Sequence, residues 1–295
     1  MKLYFFRGFH TNFGDELNPW LVPKLLPGVL DENEDEMLLA IGSILFDHHP
    51  KDAKKIVFGS GYGGYTPPPK LDEKWQVYCV RGPRSAAACG LGPEAVAGDT
   101  AILIARHWRN SFPKTIPVSF MPHYQSIGRG FWERVCKLAG VHFLNPRLPV
   151  EQVLEEICRS QMVITEAMHG AIVSDALRVP WVAITPVDAT HRMKWYDWAE
   201  ALDVSLRPHT LPPSSVREAR LALSGKDDWF EKPTGLVKLA VRSVDLGFVA
   251  AAAAGLARAR RIEPQLSSDA ALDRVLDKLQ TNAERILADH RPVDG

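Results

Sequence analysis

The chain has 295 residues, enough for two domains of about 150 residues or for one large one. Its 35 basic residues balance 35 acidic ones, so no global field recruits nucleic acid or an anionic membrane, and an anionic substrate has to be held by locally placed cations. The four cysteines, Cys79, Cys89, Cys136 and Cys158, stand in apolar or helical surroundings without the C-x-x-C spacing of metal or redox sites, which predicts buried thiols in a reducing compartment.

In chain order, KLYFF (2–6) is a short apolar run with the character of a buried strand, and the loop RGFHTNFG leads into a helix with Asp15 near its start. EMLLAIGSI, KIVFGSG, WQVYCVRG and PVSFMPHY are further apolar runs ending in Gly, Ser, Arg or His, with helices expected over PRSAAACGL and FWERVCKLAG. QMVITE and PWVAITP add strands on either side of the helix that follows His169. Strands alternating with helices predict βαβ units and mostly parallel sheets. Near residues 105–117, HWRNSFPKTIP is polar, proline-bearing and without period, and suggests a boundary. The expected fold is therefore α/β: two Rossmann-like domains, 1–110 and 116–210, facing a cleft, with a helical C-terminal extension over 211–295. In that extension PPSSVREARLAL opens on a serine cap, and DDWFEKPTGLVKLAVRSV continues as helix. The alanine-rich GFVAAAAAGLARARR reads as a packed helix, or as one that touches a membrane or a partner, and SSDAALDRVLDKLQTNAERIL carries a capping serine and a helical apolar period. The apolar run in MKLYFFRGFH is too short for a signal peptide, and no stretch approaches ~18 apolar residues, so a cytosolic protein, soluble or peripheral, is expected.

Two motifs mislead. GSGYGG (59–64) fits the dinucleotide fingerprint after a strand, but three prolines follow in YTPPPK, where the fingerprint requires a helix to receive the pyrophosphate. NAD and FAD are therefore rejected, although the loop around Gly61 lets backbone amides approach a ligand closely. The acidic run DENEDE (31–36) has no convincing D-x-D signature, and no metal site is expected.

Polar residues at strand ends are more informative together than singly. Asn12, Asp15 and Glu16 follow the first strand and Ser43 the second; Arg81 and Arg84 follow VYCV; Asp99 lies in AGDTAIL; His123 ends VSFMPH; His169 and Gly170 follow QMVITEAM. Taken alone, Asp15 serves as a helix cap, Arg84 as a surface charge and His123 as a core histidine. Their common placement at the carboxyl ends of strands points to one ligand site.

NFGDELN, GSIL, VFGSGYG, VRGPRSA with GDTAIL following, MPHY and TEAMHGAIVSDALRVPWVAI, in this order over residues 1 to about 210, resemble the polysaccharide pyruvyl transferase family, in particular bacterial exopolysaccharide enzymes of the succinoglycan type. KWYDW (194–198) strengthens the narrower match. The resemblance implies a GT-B-like pair of domains and transfer of the pyruvyl group of phosphoenolpyruvate to two hydroxyls of one sugar, with no cofactor beyond that donor. It also implies a catalytic histidine at His169 and a donor-holding arginine at Arg81. Many members of the family carry Arg two residues before the histidine, where this chain has Ala167. Arg81, Lys194, Arg192 and Arg84 are the candidate replacements.

Ketal formation requires protonation of donor carbon 3 and deprotonation of the attacking hydroxyl, work suited to a histidine with a pKa of about 6.5. His169 is expected to do it, with His123 or an acidic residue of the NFGDE loop on the acceptor side. Arg81 as a clamp and the amides after Gly170 as a dipolar cradle would hold the donor's anionic groups. By resemblance the acceptor is a hexose, glucose or galactose, on a lipid-linked repeat unit at the cytoplasmic face of the membrane. Trp20, Tyr62, Tyr65, Trp75, Trp195 and Trp198 are candidate sugar platforms. A GT-B glycosyltransferase using a nucleotide sugar, and a non-catalytic saccharide-binding subunit of a polysaccharide assembly complex, remain as alternatives.

Overall fold

The computed structural model describes residues 1–109, 111–227 and 235–290, with the backbone alone over 235–242. Strands β1 (Lys2–Tyr4), β2 (Glu36–Leu39), β3 (Lys54–Ser60) and β4 (Trp75–Val80) form one sheet in the order β1-β2-β3-β4. Strands β5 (Ile116–Met121), β6 (His142–Phe143), β7 (Ser160–Thr165) and β8 (Trp181–Ala183) form a second in the order β6-β5-β7-β8. Every pairing is parallel, as the alternation of strands and helices predicted. Sheets covered on both faces need apolar residues on both, and Ile56, Val57 and Phe58 of β3 are accordingly all buried.

The second sheet has a switch point. From β5 the chain goes to β6 on one side, then to β7 and β8 on the other. The crevice outside the carboxyl ends at such a reversal is where open α/β sheets bind ligands. His123 follows the end of β5 and His169 the end of β7, so both stand at this crevice.

Helices 13–25 and 168–176 bring the sheets together. Phe13, Leu17 and Leu21 of the first and Ile172 and Val173 of the second share one apolar cluster with Leu38 and Ile56 of the first sheet and Val163 and Trp181 of the second. Helix 13–25 tolerates two internal prolines, Pro19 and Pro23. Pro19 has no N–H for the Asp15 carbonyl, and the Asn18 side chain donates to it instead, at 3.2 Å. Asn18 also exchanges hydrogen bonds with the Ile41 backbone, at 2.9 Å each, which fixes the helix against the loop after β2.

The two long described helices beyond residue 211 pack against the sheets. Helix 216–224 starts at Ser215, whose hydroxyl accepts the Glu218 N–H, as the serine cap predicted. Helix 235–259 buries Val249, Ala252 and Leu256 against Trp132 and Val135, over Phe120 and Ile164 of the second sheet, so its alanine run is an ordinary packed face. Helix 269–290 returns to the first sheet, where Val275, Leu279 and Ala283 join a cluster with Ala97 and Ile102 and Asp289 accepts the Tyr78 hydroxyl at 2.6 Å. Small faces can be buried only where another layer covers them, and these helices supply that layer. Of the helical reading over DDWFEKPTGLVKLAVRSV, residues 228–234 lie outside the described residues, as does Asn110 of the HWRNSFPKTIP segment. The four cysteines are free thiols. Among the described residues no helix is long and apolar enough to cross a membrane.

Candidate active site

Strand-end loops of both sheets and the first turns of helices 13–25 and 168–176 surround a cavity of about 400 Å³. Tyr4, Phe6, Asn12, Asp15, Ser43, Phe46, His48 and Tyr65 line it from the first sheet's side; His123, Tyr124, Gln125, Met168, His169, His191 and Lys194 line it from the second's. A recess of about 20 Å³ shares Asn12, His123, Met168, His169 and Lys194 with it and is closed by Gly14, Pro146 and Ala167.

His169 is placed by the turn out of β7. The Thr165 hydroxyl accepts the Ala167 N–H at 3.0 Å and donates to the Ala167 carbonyl at 2.9 Å, which bends the chain from strand into helix. Ala167 caps the helix without a side-chain bond, so the N–H groups of Met168 and His169 have no intrahelical partners. Gly170 and Ala171 donate back to the Ala167 carbonyl. A Cβ at Gly170 would stand 2.5 Å from Thr165 Oγ1 and 2.7 Å from Met121 Sδ, so only glycine lets the helix begin this close to the strand ends.

The imidazole of His169 is held from two sides. Its Nε2 lies 3.6 Å from Oδ2 of Asp99, and neither buried atom has a hydrogen-bond partner. Asp99 is fully buried; its other oxygen caps the turn at Thr100–Leu103 by accepting the Ala101 N–H at 3.0 Å. Catalytic hydrogen bonds are often long before substrate arrives, and this pair has the composition of one. On the other side a Cβ at Gly14 would stand 2.1 Å from Nδ1. The glycine of NFGDE thus makes room for the ring.

Asp15 is the nearby carboxyl. Its Oδ2 accepts from Asn12 Nδ2 at 2.8 Å. Burial pushes its pKa up, opposed by that hydrogen bond and by the charges of His169 and Lys194. His123 is kept neutral: burial above all, with the charges of Lys194 and Arg129 and that of His191 whenever it is protonated, holds its pKa well below the ordinary value. His191, its ring centroid 4.4 Å from that of His123, is lowered to about 3, chiefly by burial. At neutral pH it is therefore uncharged, and Asp188 at 3.9 Å is a neighbour rather than an ion-pair partner. Its ring nitrogens meet the Tyr65 hydroxyl at 2.9 Å and Gln125 Oε1 at 3.2 Å. Glu166 fastens these loops together, accepting the N–H of His123 at 2.9 Å and that of Val187 at 3.0 Å. Among the described residues Lys194 is the one lysine or arginine lining the cavity, and no group of three or more His, Cys, Asp or Glu is disposed to hold a metal ion.

Residues 12–188 match the polysaccharide pyruvyl transferase family. The chain is also 34% identical to the succinoglycan biosynthesis protein ExoV of Rhizobium meliloti (strain 1021) over 315 residues, covering 98% of this chain and 100% of that protein. The chain belongs to the polysaccharide pyruvyl transferase family. No solved structure matches it. The nucleotide-sugar and non-catalytic alternatives give way to this membership: the protein is a pyruvyltransferase.

In this pyruvyltransferase the cavity brings together Asn12, Asp15, Ser43, His123, His169 and Lys194, with Asp99 directly behind His169. The other expected residues lie elsewhere. Arg81 is fully buried. It pairs with Asp197 at 2.8 Å and donates to the Ser43 hydroxyl at 2.7 Å and the Tyr62 carbonyl at 3.1 Å, so it braces the cavity wall behind Ser43. Gly61 packs on its guanidinium, where a Cβ would meet Cζ at 2.1 Å. Arg84 forms a forked pair with Glu200 on the surface, Arg192 bonds the Pro186 carbonyl, and Glu16 does not reach the cavity lining. The amides after Gly170 are already used within the helix, whereas those of Met168 and His169 have no partner in it. Of the candidate sugar platforms only Tyr65 lines the cavity, while Trp195 and Trp198 are core. Phe6, Phe46, His48, Tyr124 and His191 went unnoticed in the sequence. A histidine three residues before Lys194 was the available signal for the last.

Proposed function

We propose that this pyruvyltransferase moves the pyruvyl group of phosphoenolpyruvate onto two hydroxyls of one hexose in an exopolysaccharide repeat, closing a cyclic ketal and releasing phosphate. The observation that carries this reading is the meeting of His169, backed by Asp99, with Asp15 and Lys194 at one cavity. The succinoglycan biosynthesis function in the relative's name supports the exopolysaccharide setting. We take the sheets as two Rossmann-like domains, 1–110 and 116–210, in a GT-B-like pair, acting on a lipid-linked acceptor at the cytoplasmic face of the membrane.

Two proton movements have to be supplied. Burial lets Asp15 keep its proton to higher pH than an ordinary aspartate, and a bound anionic donor raises its pKa further. Asp15 therefore protonates carbon 3. As the 3.6 Å separation tightens in the reacting complex, Asp99 accepts the Nε2–H of His169 and leaves Nδ1 as the basic nitrogen, which takes the proton of the attacking hydroxyl. In the first addition the carbon 2–carbon 3 π bond breaks, the C3–H bond forms, and the first hydroxyl oxygen bonds to carbon 2. The bond from carbon 2 to the phosphate oxygen then breaks with its electron pair leaving on phosphate. The second hydroxyl bonds to carbon 2, and its proton passes to the departing phosphate. The proton taken by His169 in the first addition balances the one given by Asp15. Lys194 and the Met168 and His169 N–H groups, at the positive end of a helix dipole, hold the donor's anionic groups in place of an arginine at Ala167. Neutral His123 and His191 act as hydrogen-bond partners.

The test is proton NMR of mixtures of the protein with phosphoenolpyruvate and methyl glucosides or galactosides. A new ketal methyl signal is expected with this donor, and none with nucleotide sugars. Glycosyl transfer from a nucleotide sugar without ketal formation would overturn the reading.

A further inference from the structure

We propose that the cavity rim is an extended acceptor subsite, which binds sugar residues beyond the one that becomes the ketal. The inference rests on the saccharide acceptor proposed above and adds how much of it is read. The loop between β1 and helix 13–25 carries Phe5, Phe6 and Phe9 in eight residues with Arg7 and His10. Phe9 is fully exposed, and Phe6 is 46% exposed while also lining the cavity. Gly8 allows this placement, since a Cβ there would come within 3.3 Å of the Phe6 ring. Phe46 and His48, in the loop after β2, also line the cavity, stacked at 4.9 Å with 12° between their planes. The His48 side chain is 64% exposed. Tyr65 completes the rim, its ring 40% exposed and its hydroxyl bonded to His191.

Folding alone does not account for this. Rings of this size contribute to stability by burial, and here Phe6, His48 and Tyr65 of the cavity lining are left partly in water, with the fully exposed Phe9 three residues along the chain from Phe6. Flat faces with hydrogen-bonding edges suit a sugar, whose C–H face packs on a ring while its hydroxyls meet polar edges. A bilayer would call for a contiguous apolar face flanked by several basic residues. The rim instead interposes Asp47, 3.4 Å from His48, and the Tyr65–His191 hydrogen bond, and Arg7 is the one arginine or lysine among Phe5–Thr11. The occupant that fits is an oligosaccharide.

The experiment compares methyl β-glucoside with a β-linked gluco-tetrasaccharide, and their galactose counterparts, as acceptors for the full chain and for its Phe9→Ser and His48→Ala variants. Two readouts are taken: kcat/KM by phosphate release, and Kd by calorimetry. The wild-type protein should prefer the tetrasaccharide, and each variant should shrink that preference on the order of 3- to 10-fold, through KM and Kd more than through kcat. Equal affinity for short and long acceptors in the wild type, an unchanged preference in both variants, or binding of neither saccharide would overturn the subsite. Loss of binding to anionic phospholipid vesicles in Phe9→Ser, with the saccharide preference intact, would assign the loop to a membrane and also overturn it. Tetrasaccharide preference in Kd without phosphate release would keep the subsite and refute the reaction proposed above.

Discussion

Replacing Gly14 by alanine adds one methyl group at a point where the structure has no room for it. The new Cβ would stand 2.1 Å from His169 Nδ1 and 2.7 Å from its Cγ. Ordinary contact begins near 3.4 Å, so the ring has to retreat by about 1.3 Å. It can do so only by changing its 3.6 Å approach to Asp99 or its line to the cavity. Misplacement of a catalytic group by about 1 Å costs about 10²-fold, and kcat should fall by that factor or more. Stability should change much less: alanine gains ~0.5–1 kcal/mol over glycine in a helix, against ~1–3 kcal/mol for overpacking. Phosphate release gives the first quantity and thermal unfolding the second. Full activity in a folded Gly14→Ala protein would refute the account of how His169 is positioned.

Asp99→Asn keeps the oxygen that caps the Thr100–Leu103 turn, because Asn and Asp cap equally well, but it removes the carboxylate behind His169; kcat should fall ~10²- to 10⁴-fold with the unfolding temperature little changed. Asp15→Asn retains a polar partner for Asn12 and has no proton to give. The proposed role of Asp15 needs its proton, and its pKa is raised, so wild-type activity should be present below that pKa and lost as pH rises through it, and this alkaline limb should vanish from the variant's weak residual activity. Glu218 governs stability. Burial, then the charge of Glu166, raises it from 4.5 to about 7, so its protonated form stabilises the fold fully below the unfolded value and that contribution is lost as pH rises through about 7. Neutral His123 has the opposite sign, with stability lost as pH falls below 6.5 towards its depressed folded value. The wild-type profile should therefore be a dome, and Glu218→Gln should gain on the wild type by about 2 kcal/mol between pH 5 and 8 in denaturant titrations.

The strands were legible because buried parallel strands are written as apolar runs: KIVFGSG and QMVITE lie within a residue or so of β3 and β7. The two-residue β6 is too short to leave a pattern, and the amphipathic helix over PVEQVLEEICR went unread. Cavity-lining residues set by local placement, such as His169 after its strand and Asp15 in its first helical turn, were visible for the same reason. The surroundings of Arg81 were not legible, because an arginine after a strand looks the same whether it meets a ligand or a buried partner. Its partner Asp197 is 116 residues away, inside the KWYDW stretch. The pairing of Asp99 with His169 and the service of Gly14 to the same ring are likewise long-range contacts, set by how helix 13–25 and helix 168–176 meet in one core. Apart from Tyr65, the aromatic rim escaped notice because its members are scattered over three loops and share no period.

The central claim, that His169 moves protons during pyruvyl transfer, is tested most directly by phosphate release from phosphoenolpyruvate with glucosyl and galactosyl acceptors, comparing the wild-type protein with His169→Ala at matched folding. The account predicts acceptor-dependent release in the wild type and a loss of about 10²-fold or more in the variant. Release that proceeds equally fast without the imidazole would contradict it.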